Sequence, residues 1–188
     1  MSPLPPLGLK SFAPAWAPSG AYDALATVTV PSGGASSIEF VGIPSGYKHL
    51  QVRATLKSNT TGVLYMNYTF NGVGGTSYSS HYLFGNGSTA GANAGNGASA
   101  SSMYLNEFPT TSNTNMFGVF VLDILDYANT TKNKTTRALG GNDKNGSGVV
   151  ALSSGLFMST NPITSIEFTP QSSAGIGQFS SFALYGVR

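Results

Sequence analysis

The chain has 188 residues, no cysteine, 9% charged residues and a formal net charge of +2. That length fits one domain with a core of its own, and the missing cysteines exclude disulfides, thiolate nucleophiles and cysteine-held metal sites together. The small net charge, with no basic cluster beyond Lys132, Lys134 and Arg137, argues against nucleic acid as a partner.

Residues 1–20, MSPLPPLGLKSFAPAWAPSG, hold five of the ten prolines and the only tryptophan, Trp16. Proline removes a backbone donor and fixes φ, so this stretch is expected to be an extended arm without helix or paired strand. Leu4, Leu7, Leu9, Phe12 and Trp16 are more apolar than a solvated linker needs, and the arm is therefore read as an anchor in a groove of another subunit. The start lacks the charged and continuously apolar pattern of a secretory signal, and no segment reaches the length of a membrane-spanning helix.

From residue 21 to 188 the pattern predicts one antiparallel β-sandwich, jelly-roll-like, of about ten strands. Expected strands are 22–30, 38–40, 47–57, 63–70, 78–84, 103–108, 116–127, 134–139, 149–158, 163–169 and 178–187. In 47–57, Leu50, Val52, Ala54 and Leu56 alternate with His49, Gln51, Arg53, Thr55 and Lys57, which predicts one core face and one wet face. Asn71-Gly72 marks a tight turn. Residues 85–99, GNGSTAGANAGNGAS, carry no large side chain and are expected to form an exposed, mobile distal loop. The longest apolar run, Met116 to Tyr127, has apolar residues in both alternation sets and reads as a central strand covered on both faces.

Seven acidic residues and two histidines make up the inventory for acid–base or metal chemistry. Asp123 and Asp126, three apart on a strand, point to opposite faces; they are expected to cap turn backbone or to pair with a base such as Arg137. His49 and His81 lie on different strands without a third ligand, and Asp143-Lys-Asn145-Gly is only half of a calcium loop, so no metal or cofactor is expected. No Gly-x-Ser-x-Gly elbow is present, and no catalytic residue is assigned. Tyr65, Tyr78, Tyr82 and Tyr104 suit either a stacking platform for sugar rings or cross-strand structural pairs, the latter being the commoner use of strand tyrosines.

The blocks Tyr22-Asp-Ala-Leu-Ala-Thr-Val-Thr-Val30, Ile38-Glu-Phe40, Ile43-Pro-Ser-Gly-Tyr-Lys-His-Leu-Gln-Val-Arg53 and Phe70-Asn-Gly72 resemble successive blocks of small virion structural and tail proteins of tailed bacteriophages. So do His81-Tyr-Leu-Phe-Gly85, Asp123-Ile-Leu-Asp-Tyr-Ala-Asn129 and Phe179-Ser-Ser-Phe-Ala-Leu-Tyr-Gly-Val187. The resemblance covers about residues 22–188 and carries no catalytic motif. It implies a non-enzymatic virion component assembled in the host cytoplasm, with other virion proteins as partners and a homo-oligomer, a trimer by analogy. A tail or fibre location is expected, with the arm fixed in the tail and Tyr78, His81, Tyr82, Asn86, Asn93 and Asn96 as candidate contacts to a host-surface glycan. The alternatives are a capsid decoration protein and, third, a polysaccharide depolymerase, which would need convergent carboxylates.

Overall fold

The computed structural model describes residues 20–62, 64–171 and 175–188, apart from the side chains at positions 96, 97 and 106. The arm residues Leu4, Leu7, Leu9, Phe12 and Trp16 lie outside the described residues. Twelve strands form two antiparallel sheets: β1 (Tyr22–Thr29), β2 (Ile38–Phe40), β3 (His49–Leu56), β4 (Leu64–Phe70), β5 (Tyr78–Gly85), β6 (Ala90–Ala100), β7 (Met103–Phe108), β8 (Gly118–Leu125), β9 (Lys134–Asp143), β10 (Gly148–Phe157), β11 (Ile166–Pro170) and β12 (Ser181–Val187). The large sheet has the order β1-β12-β3-β8-β9-β10-β5-β6 and the small one β2-β11-β4-β7.

This order contains a complete jelly roll. The pairs β4–β7, β3–β8, β2–β11 and β1–β12 are nested in sequence like the rungs of one long hairpin, and successive rungs fall in alternate sheets. Eight strands account for that winding, four in each sheet. The other four are two inserted hairpins, β5–β6 between β4 and β7, and β9–β10 between β8 and β11. They pair with each other through β10 and β5, in register from Phe157↔Tyr78 to Val150↔Gly85, and so widen the large sheet.

The core lies between the sheets. Leu50, Val52, Ala54 and Leu56 of β3 meet Leu64, Met66, Tyr68 and Phe70 of β4, all buried, as strict alternation requires. At its centre Phe120, Phe168 and Phe182 form a triangle with ring centroids 5.5–6.0 Å apart, drawn from β8, β11 and β12. The final strand is built between β1 and β3 rather than hung on an edge.

Two expectations are corrected. β8 is central in its sheet but covered on one face only: Phe120, Leu122 and Ile124 are buried, while Val119, Val121 and Leu125 are 51%, 37% and 40% exposed. The small sheet packs on the inner face of the large one, and nothing among the described residues layers over the outer face. Residues 90–99 of the glycine-rich stretch belong to strand β6 and not to a loop. Main-chain pairing to β5 replaces side-chain burial there, and small residues permit the close approach. A Cβ on Gly91 would stand 2.8 Å from the Phe84 ring, and Gly95 takes φ +53° at an irregularity in the register.

Candidate cleft between the inserted hairpins and the small sheet

Because β9, β10, β5 and β6 extend beyond the small sheet, its edge strand β7 packs against all four and leaves an open cleft at the end where the two hairpins turn. The cleft has a volume of about 740 Å³ and is lined by Tyr65 of β4, Tyr82 and Phe84 of β5, Tyr104 and Glu107 of β7, and the turns around Asn86 and Lys144. Tyr104 stands in the middle, its ring 5.9 Å from Tyr65 and 5.2 Å from Tyr82; Tyr82 is in turn 5.9 Å from Phe84. Tyr82 and Phe84 take inward positions of β5 beyond the end of the small sheet, whereas Tyr65 and Tyr104 take the parity opposite to the core residues Leu64, Met66, Met103 and Leu105 of their strands and meet them at the β7 edge. Tyr104 is buried there, and Tyr65, Tyr82 and Phe84 are only partly covered.

The polar groups are few and ordered. Lys144 Nζ lies 2.7 Å from Glu107 Oε1, both side chains about three-quarters buried or more, and Asn142 Nδ2 donates to the Glu107 carbonyl at 2.8 Å. On the other wall Asn86 Oδ1 accepts from the Ser88 and Thr89 amides and the Ser88 hydroxyl at 2.8–3.1 Å, fixing the β5–β6 turn. Burial first, and then the neighbouring Tyr82, Tyr65 and Glu107, push the Tyr104 phenol far above its ordinary value. Burial and Glu107 do the same more weakly to Tyr65. Both phenols are therefore neutral donors at any physiological pH. Among the described residues Glu107 is the one carboxylate lining the cleft, and its partner Lys144 neutralises it.

The structure thus brings together Tyr65, Tyr82 and Tyr104 of the four tyrosines singled out by sequence, with Asn86 at the rim. Tyr78 is a correction: it is fully buried, stacked on Phe157 at 4.9 Å, with its hydroxyl accepting from the Phe70 amide and donating to the Val73 carbonyl, both at 2.9 Å. A large inward residue where both layers are complete becomes core, so Tyr78 cannot touch a host. His81 is exposed on the opposite, outer face of the large sheet, away from Tyr82. Asn93 is exposed on edge strand β6; Asn96 falls on the same strand with its side chain outside the described residues. Sequence reasoning missed Phe84, Glu107 and Lys144. Phe84 follows Tyr82 at the same strand parity and was legible as its partner, whereas the meeting of Glu107 and Lys144 depends on a hairpin insertion that no local pattern displays.

Asp123 and Asp126 pair with bases, as the sequence suggested for them. Asp123 accepts from Gln51 Nε2 at 2.7 Å and pairs with Arg137 at 2.8 Å on the outer face; partial burial works against its charge, but those bonds prevail and hold its carboxyl below the usual range. Asp126 follows the strand in the left-handed region, φ +47°, and its carboxylate binds Lys132 and Lys48. Asp143 caps the amide of Asn145 at 2.8 Å. No group of three or more His, Asp or Glu side chains gathers in metal-binding geometry among the described residues. No family model, curated protein or solved structure matched the chain.

Proposed function

We propose that the protein is a non-enzymatic structural component of a tailed-bacteriophage virion, tail- or fibre-associated and homo-oligomeric, which presents its jelly roll outward and takes a neutral glycan of the host surface in the tyrosine cleft. The observation that carries the glycan reading is the cleft itself. Tyr65, Tyr82 and Phe84 offer partly covered ring faces to the apolar side of a sugar around the buried Tyr104 ring, and phenol, amide and ammonium groups stand at their edges to meet its hydroxyls. A single neutralised carboxylate supports binding over hydrolysis, since glycosidic cleavage by the common route uses two carboxylates flanking the bond. The virion setting is supported by the resemblance of residues 22–188 to phage structural proteins and by the architecture, for jelly rolls recur in viral capsid and lectin domains.

The test is a titration of surface polysaccharide fragments from susceptible bacteria, followed by saturation-transfer NMR. Tyr82→Ala should weaken binding tenfold or more, about 1.4 kcal/mol, without unfolding the domain. Binding that is untouched by Tyr82→Ala and Lys144→Ala, or released sugar in place of bound sugar, would overturn the reading.

A further inference from the structure

The outer face of the large sheet carries an apolar ladder that the cleft does not use. Val121 pairs with Leu139, Leu139 with Leu152, Leu152 with Leu83 and Leu83 with Ala92, so one row crosses five strands from β8 to β6. Leu139 and Leu83 are each 57% exposed, Val119 and Val150 of the next row about half. Of the charged groups beside the row, Arg137 and Asp123 are paired at 2.8 Å, and Arg53, opposite Val121, donates to Gln51 Oε1 at 2.7 Å. A groove of about 740 Å³ runs along this face, from Leu125 on β8 past Leu152 and Leu83 to Ala92. A row of exposed large aliphatic side chains across adjoining strands is the kind of surface that interaction sites carry.

We infer that the occupant is the chain's own N-terminal arm, residues 1–19, laid across the groove of the same subunit. Continuity is the first argument. The arm joins β1 at the edge of this same sheet, and Tyr22 is level with Val187 and His49, the latter one position before the Leu50↔Ile124 pair. The mouth of the groove, Leu125, is therefore on the level at which the arm arrives. Between them Arg53 lies 4.9 Å over both the Tyr22 and Tyr185 rings, a flat floor without a free carboxylate.

Length is the second. β8 is three strands in from β1, about 14 Å at the usual inter-strand spacing. Trp16 is six residues back from Tyr22, and its prolines favour an extended path of ~3.1 Å per residue, about 19 Å, which is enough to seat it at Leu125. Crossing from β8 to β5 takes a further ~14 Å, and the seven residues from Trp16 back to Leu9 supply ~22 Å. Composition is the third: the arm's single charged side chain is Lys10, and its five large apolar groups match the exposed aliphatic side chains of the ladder. The inference departs from an anchor in another subunit and does not rest on the virion reading.

Trp16, the only tryptophan, reports the outcome in the full chain. Its emission is expected to be blue-shifted and shielded from acrylamide, independently of protein concentration. Leu139→Asp and Leu152→Asp, both at exposed positions, should move it to the red with a several-fold rise in quenching, while Val41→Asp, exposed elsewhere, should not. Should either variant misfold, the cysteine-free chain allows a single Ser154→Cys labelled with dansyl, and efficient transfer from Trp16 is then expected with the ladder intact. Trp16 as accessible as free tryptophan, or indifferent to both ladder variants, overturns the proposal. So does shielding that appears only as sedimentation shows dimers forming, because the face is then closed by a second copy.

Discussion

Asp126 is where a single side chain most visibly fixes the backbone. The left-handed turn after β8 costs a non-glycine residue energy, and here the carboxylate recovers it by gathering Lys132 and Lys48 while the Asp126 amide donates to His49 Nδ1 at 2.9 Å. Hydrogen bonds from Lys132, then Lys48, hold its carboxyl down at about 2, against 3.8 ordinarily. With a folded value below the unfolded one, the contribution is complete above about pH 4 and lost as pH falls through about 2. Asp126→Asn, which keeps the left-handed preference, should flatten the acid limb of a stability curve across that window, as read by urea midpoints. Gly155 offers a steric test. A Cβ there would stand 2.5 Å from Thr136 Oγ1 and 2.6 Å from Met103 Sδ, beside the buried 2.8 Å bond between Thr136 and the Tyr68 hydroxyl. Gly155→Ala should cost about 1–3 kcal/mol in denaturant unfolding.

At the scale of elements, β8 and β6 are the contrasting cases. Phe120 of β8 packs on Phe108, Phe168 and Phe182, and Phe120→Ala should remove about 3–5 kcal/mol, measured as a lower urea midpoint at unchanged slope. β6 is an edge strand of small side chains with two register shifts, held chiefly by main-chain bonds to β5. Its amides should exchange with deuterium faster than those of β3 and β8 by about two orders of magnitude or more. These two strands also show what was legible in the sequence. Alternation placed β3 and β4 because each has one core face, and the apolar run placed β8. It could not tell a second apolar face bound for the core from one left outside, since both read Val-x-Val-x-x-x-Leu. Nor does alternation register a strand such as β6, whose stability lies in the backbone. The cleft was legible in part for the same reason: tyrosine parity follows from a period of two, while Glu107 and Lys144 are brought together by topology.

For the whole molecule, the nested winding separates two tasks. The eight jelly-roll strands make most of the core, to which Tyr78, Ala138 and Phe157 of the hairpins add, and the inserted hairpins complete both the tyrosine cleft and the apolar groove. Loss of either surface should therefore leave the other working. Lys144→Ala should weaken glycan binding with Trp16 emission unchanged, and Leu152→Asp should expose Trp16 with glycan affinity unchanged. The central claim is that this fold is displayed on a virion, at its tail. The most direct measurement is electron microscopy of purified phage particles with a gold-conjugated antibody to the described domain. Gold at the tail is the expected result; gold over the head would make the protein a capsid decoration, and particles free of label would contradict a virion role altogether.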